Sequence, residues 1–83
     1  MIDYSHDIAG LVDSVVRPLV DFEDDLEITS REEEGVIIVE ISVNEEDAGK
    51  VIGRQGRVIK SIRTLARAAA SRNDMRVEVE LLD

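Results

Sequence analysis

The chain has 83 residues, of which 43% are hydrophobic and 35% charged, with a formal net charge of −9 and no cysteine. A chain of this length has room for one domain, which buries only about 60–65% of its unfolded surface. The composition excludes a disulfide framework and a thiolate metal site, and its apolar fraction excludes a disordered polyelectrolyte.

At the start of the chain no basic segment leads into an apolar stretch, so no secretory signal is expected. No apolar run approaches the roughly 20 residues of a membrane-spanning helix, so membrane insertion is not expected either. The absence of cysteine fits a reducing cytoplasm, where the protein is expected to reside. Ile8, Leu11, Val12, Val15, Val16 and Leu19 recur at helical spacing, with Asp3 or Ser5 placed to cap the start. Pro18 should end or kink this helix near Arg17, because proline donates no hydrogen bond and clashes with the preceding turn.

Asp21 to Asp25 reads as an acidic connection, and residues 26–30 alternate as a short strand. The charged stretch from Arg31 to Glu34, with Gly35, reads as a hairpin turn. A second strand, Val36 to Val43, places Ile37, Val39, Ile41 and Val43 on one face. A last strand places Met75, Val77, Val79 and Leu81 on one face and Arg76, Glu78 and Glu80 on the other. One apolar face per strand implies helices on a single side of the sheet.

Between these strands, Asn44 followed by Glu45, Glu46 and Asp47 reads as an Asx cap with acids in the first turn of a short helix ending at Gly53. A longer helix follows from about Arg57 to Arg72, with Val58, Ile59, Ile62, Leu65, Ala66, Ala69 and Ala70 as its apolar stripe. The order is therefore α-β-β-α-α-β. This is a two-layer α+β fold with a three-stranded mixed sheet and helices on one face. The second and last strands should be parallel and joined by a right-handed crossover.

The charge is segregated. Residues 49–76 hold eight cations against Asp74 alone, a balance of +7, whereas residues 1–48 hold fifteen carboxylates against Arg17 and Arg31. Inside the basic block lies Gly49-Lys50-Val51-Ile52-Gly53-Arg54-Gln55-Gly56-Arg57. A Gly-x-x-Gly joint lets backbone approach a partner closely, since neither end carries a Cβ. The helix after Gly56 lacks a Ser, Thr, Asp or Asn cap, so its first amides and its dipole are free to meet an anion.

Phosphate is the natural partner of such a corner. Arg54 should contact it directly, and Lys50 and Arg57 should raise the local potential. Gln55 serves either as a donor to phosphate or sugar or as a solvated loop tip. Lys60, Arg63 and Arg67 read mainly as a solvated face, with Lys60 near enough to the loop to join it. Val51, Ile52, Ile59 and Ile38 offer an apolar shelf for bases, although Ile59 also fits the core. The same corner could be a plain helical turn whose glycines only permit the bend.

Catalysis is not expected. Gly49-Lys50 is followed by Val51, which breaks the phosphate-loop motif, and His6 is a lone histidine with no nucleophile arranged around it. The carboxylates fall in solvated runs without metal-loop spacing, and no cofactor or small-molecule substrate is implied.

The element order and the segment 49–57, with Ile59 and Ile62 behind it, resemble a KH domain of the prokaryotic type II arrangement. Val16-Arg17-Pro18-Leu19-Val20 and Ile62-Arg63-Thr64-Leu65-Ala66-Arg67-Ala68-Ala69-Ala70 extend the resemblance to small single-KH proteins of the bacterial KhpA type, over essentially the whole chain. The resemblance implies single-stranded RNA binding, with Gly53, Arg54, Gln55 and Gly56 clamping the phosphate backbone. It also implies a homodimer or a heteromer with a larger KH-containing partner. Post-transcriptional regulation or RNA chaperoning linked to cell-envelope growth and division is the implied setting. The alternative is a protein-interaction module whose KH surface serves assembly. The acidic balance and the presence of only Tyr4 and Phe22 as aromatics set the chain apart from binders that stack bases on rings.

Overall fold

The computed structural model describes residues 4–82. Helix α1 (Ser5–Val16) ends in a 3-10 turn at Arg17–Leu19, where Pro18 stops the α-helical ladder as expected. A second 3-10 turn at Glu23–Asp25 leads into strand β1 (Glu27–Glu33) and strand β2 (Val36–Ser42). Helix α2 (Ala48–Ile52), a 3-10 turn at Arg54–Gly56 and helix α3 (Arg57–Ser71) precede strand β3 (Arg76–Leu82). The sheet order is β1-β2-β3, with β1 antiparallel and β3 parallel to the central β2.

The inward rows of the sheet are set by strand parity. Ile37, Val39 and Ile41 of β2 are fully buried, flanked by Val77 and Val79 of β3. Against them pack Ile8, Val12 and Val16 of α1, Val51 of α2, and Ile59, Ile62, Ala66 and Ala70 of α3. The alanines of α3 let that helix lie close to its neighbours, because they add little bulk between backbones. Helices therefore cover one face, and the other face carries Arg31, Glu40, Glu78 and Glu80 toward solvent.

Four expectations are revised. Strand β1 continues through Arg31, Glu32 and Glu33, and the turn shrinks to Glu34-Gly35, with φ of 50° and 80°. Two positive φ values in a two-residue loop match the twist of a tight hairpin, and Arg31 is held by Glu33 and by Glu40 across the sheet. Ser5 is not a cap but a buried first residue of α1; Tyr4 stands at the cap position, and Asp3 lies outside the described residues. Leu19 and Leu65 are exposed despite their apolar spacing. Finally, α2 begins at Ala48: Asn44 accepts the Glu46 N–H at 2.9 Å in a turn that precedes the helix.

Candidate nucleic-acid interface

The corner between α2 and α3 is built by backbone conformations that only certain residues adopt. Gly53 has φ 76° and ψ 174°, a region essentially reserved for glycine, and its N–H closes α2 on the Gly49 carbonyl at 2.9 Å. A Cβ there would stand 2.3 Å from Val58 Cγ2 and 2.8 Å from the Val58 backbone nitrogen. Gly56 is left-handed at φ 74°, but a Cβ on it would meet nothing closer than 4.0 Å. The first glycine is thus required by contact and conformation, the second by conformation alone.

Between them the chain makes a nest. Arg54 keeps helical angles, and Gln55 turns left-handed at φ 58° and ψ 25°. An αR–αL pair points successive amides into one concavity, an arrangement that binds anions. Among the described residues the amides of Arg54 and Gln55 have no backbone acceptor, whereas the N–H of Gly56 goes to the Gly53 carbonyl and that of Arg57 to the Arg54 carbonyl. Sequence reasoning placed the free donors at the first turn of α3. No side chain satisfies that turn, and the loop tip adds the amides of Arg54 and Gln55 to it. No side chain caps α3, so its dipole adds to the same positive corner.

The expected site residues take distinct positions. Arg54 and Gln55 are exposed at the tip, and Arg57 donates to Gln55 Oε1 at 3.3 Å. Lys60 is exposed one turn further along α3. Ile52 is exposed beside the loop, but Val51 is fully buried and Ile59 nearly so, which removes both from any shelf. Ile38 points to the outer face of the sheet, away from the helices, among Glu33, Glu34 and Glu78. The apolar shelf reduces to Ile52.

Lys50 occupies a different role from a free flanking cation. Its ammonium is paired with Asp21 and lies 3.1 Å from Asp47 Oδ1. Asp47 is fully buried and accepts the Asp21 N–H on Oδ1 and the Phe22 N–H on Oδ2, each at 3.0 Å. Desolvation, the largest influence, pushes this carboxyl up, but the two amides and Lys50 together hold it below its ordinary value. The start of α2 is thereby tied to the segment after α1, and the base of the glycine loop is fixed. Sequence reasoning missed this tether. The available signal was spacing, since Asp47 lies four residues before the core residue Val51 and so shares its face.

Arg63 departs from the solvated face expected of it. It is half-buried, and its Nε donates to the Val79 carbonyl of β3 at 3.2 Å. The basic side of α3 therefore overlies the free edge of β3. Among the described residues there is no cluster of metal-ligating side chains, and no helix is long and apolar enough to cross a membrane.

A mixed three-stranded sheet covered on one face, with a Gly-x-x-Gly corner between the crossover helices, defines a type II KH domain. Residues 9–81 match the family described as KhpA/KhpB, KH domain. The chain belongs to that family. Among curated relatives, a protein named RNA-binding protein KhpA from Listeria monocytogenes is 44% identical over 73 residues, covering 88% of this chain and 96% of its own length. Its namesake in Borreliella burgdorferi is 41% identical over 83 residues, covering the whole of both chains. In Bacillus subtilis the same-named protein is 41% identical over 76 residues, 92% of this chain and 94% of its own. A crystal structure of Era from Aquifex aeolicus superposes with a TM-score of 0.67 at 22% identity. That match covers 98% of this chain but only 31% of the Era chain, and it speaks for the fold alone.

Proposed function

We propose that this protein binds single-stranded RNA by seating backbone phosphates on the Gly53–Gly56 corner. The observation that carries the reading is the pair of unpartnered amides at Arg54 and Gln55, set in a nest beside an exposed guanidinium. Arg57 and Lys60 extend the positive track, and Ile52 offers an exposed apolar contact for a base beside the loop. Lys50 acts indirectly, by holding the loop's base. The names of the relatives agree with an RNA ligand.

With one loop and few cations, a single copy should bind weakly, on the order of 10⁻⁴–10⁻⁶ M at physiological salt. Useful affinity then requires a second module, from a homodimer or a larger KH-containing partner. An RNA chaperone or post-transcriptional regulator acting in cell-envelope growth and division fits such a module. The reading assigns the chain no catalytic step.

The double substitution Arg54→Asp, Gln55→Asp is expected to abolish RNA retention while the far-UV CD spectrum and unfolding midpoint stay near wild type. Aspartate tolerates the left-handed conformation at position 55, so the fold has no reason to suffer. Undiminished RNA binding by the folded double variant would reject the clamp. Salt titration offers an independent check. Arg54→Gln should flatten the slope of log K against log salt by about 0.7, the value for one contact on a single strand.

A further inference from the structure

We infer that Arg63 reads a base: it presents a fixed guanidinium fork to a nucleobase edge carrying two adjacent acceptors, and so gives the RNA site its sequence preference. The inference rests on the RNA-binding reading above and goes beyond the phosphate clamp.

The Nε–H of Arg63 is committed to the Val79 carbonyl at 3.2 Å, which pins the guanidinium over the free edge of β3. Among the described residues no carboxylate pairs with Arg63, and its two terminal nitrogens have no protein partner. Arginine has five N–H donors in one plane, so four remain after the anchor is made, enough for an end-on fork. Most long cations lose considerable side-chain freedom on binding; Arg63 is already half-ordered by its anchor and its half-buried stem.

Position separates its role from that of Arg54. Arg63 follows Gly56 by seven residues, about 10 Å along α3. A base hanging from a phosphate at the loop tip would lie along that side of the helix. A donor-only fork needs two neighbouring acceptors. Guanine supplies them at O6 and N7, and unpaired cytosine at O2 and N3; adenine's major-groove edge pairs an acceptor with a donor and is a poor match.

The test compares the purified full chain on short oligoribonucleotides of U carrying a single G, C or A. The expected result is a preference of about ten-fold or more for G or C over A. Replacing the G by 7-deazaguanine, which lacks the N7 acceptor, distinguishes the two sources. Loss of a preference for G assigns guanine, a preference for C over both G and A assigns cytosine, and an undiminished preference for 7-deazaguanine overturns the two-acceptor reading.

Arg63→Lys keeps the charge but removes both the plane and the anchor. It should erase the base preference while leaving affinity for oligo-U within about two-fold. Equal binding of all three probes by the wild-type chain overturns the inference, as does an Arg63→Lys variant that retains the wild-type ranking. The wild-type arm holds even if the variant unfolds. Failure of oligo-U itself to bind would instead count against the clamp.

Discussion

Gly53→Ala is expected to destabilise the protein by on the order of 3 kcal/mol, whereas Gly56→Ala should cost about 1 kcal/mol. The two glycines look equivalent in the motif, yet they differ in what surrounds them. Position 53 requires a backbone region nearly closed to L-residues, and its added methyl would overlap both the side chain and the amide nitrogen of Val58. The side chain of Val58 could shift, but the nitrogen belongs to the first turn of α3 and cannot move without displacing the helix. At position 56 the only cost is the left-handed conformation itself, since the space is open. A domain of this size has a total stability of roughly 4–12 kcal/mol, so the first substitution removes a large share. Urea unfolding of both variants checks the order, and a Gly53→Ala protein as stable as Gly56→Ala would show that the corner is not packed as described.

The reason for that asymmetry could not have been read from the sequence, because a glycine motif shows where backbone is permissive but not what presses on it. Periodicity carried more. The 2-residue alternation of β2 and β3 and the stripe of α3 were legible, since each buried face is written in side-chain type. Where side-chain type and angular position disagree, the sequence misleads. Taking about 100° per residue, the buried residues of α3 centre near one direction; Arg63 lies about 55° from it and Leu65 about 105°. Angle prevails over type: Arg63 is half-buried and Leu65 is exposed. The same holds for the acidic run Glu45-Glu46-Asp47, in which three chemically similar residues part ways. Two face water, and the third is fully buried.

The segregation of charge also changes meaning once the chain is folded. Much of the negative charge lies on the outer sheet face and in the 21–25 connection, while the cations line α3 and its preceding loop. A net charge of −9 would repel a polyanion at a distance, but screening confines such effects to about 8 Å at physiological ionic strength. On the proposed RNA-binding reading the local basic stripe would govern the encounter at close range, and the acidic remainder would limit nonspecific association. This predicts an unusually sharp decline of RNA affinity when cations of the stripe are removed, with little effect from neutralising outer-face carboxylates.

Removing the carboxylate of Asp47 should have a larger effect on stability than any exposed ion pair of the molecule. Asp47→Ala leaves the amides of Asp21 and Phe22 without their acceptors and Lys50 without its inner partner. The melting temperature is expected to fall by on the order of 10 °C or more. Asp47→Asn should recover little, because one of its two terminal atoms becomes a donor facing an amide that is itself a donor. Lys50→Ala should lower the midpoint only slightly, as its side chain is 43% exposed and its pairing is screened. The pH dependence separates these contributions. Asp47 is held below its unfolded value of about 3.9, so its contribution is complete above that pH and is lost as pH falls through the lower folded value. Lys50 is raised by its hydrogen bonds to Asp21 and then Asp47, so its part is complete below about pH 10.4 and is lost at higher, alkaline pH. Wild-type and Asp47→Asn midpoints should thus converge on acidification below pH 4, and hydrogen exchange at Asp21 and Phe22 should accelerate in the variant already at pH 7. If the two proteins kept a constant separation down to pH 2, the buried carboxylate would not be the group that joins α2 to the chain after α1.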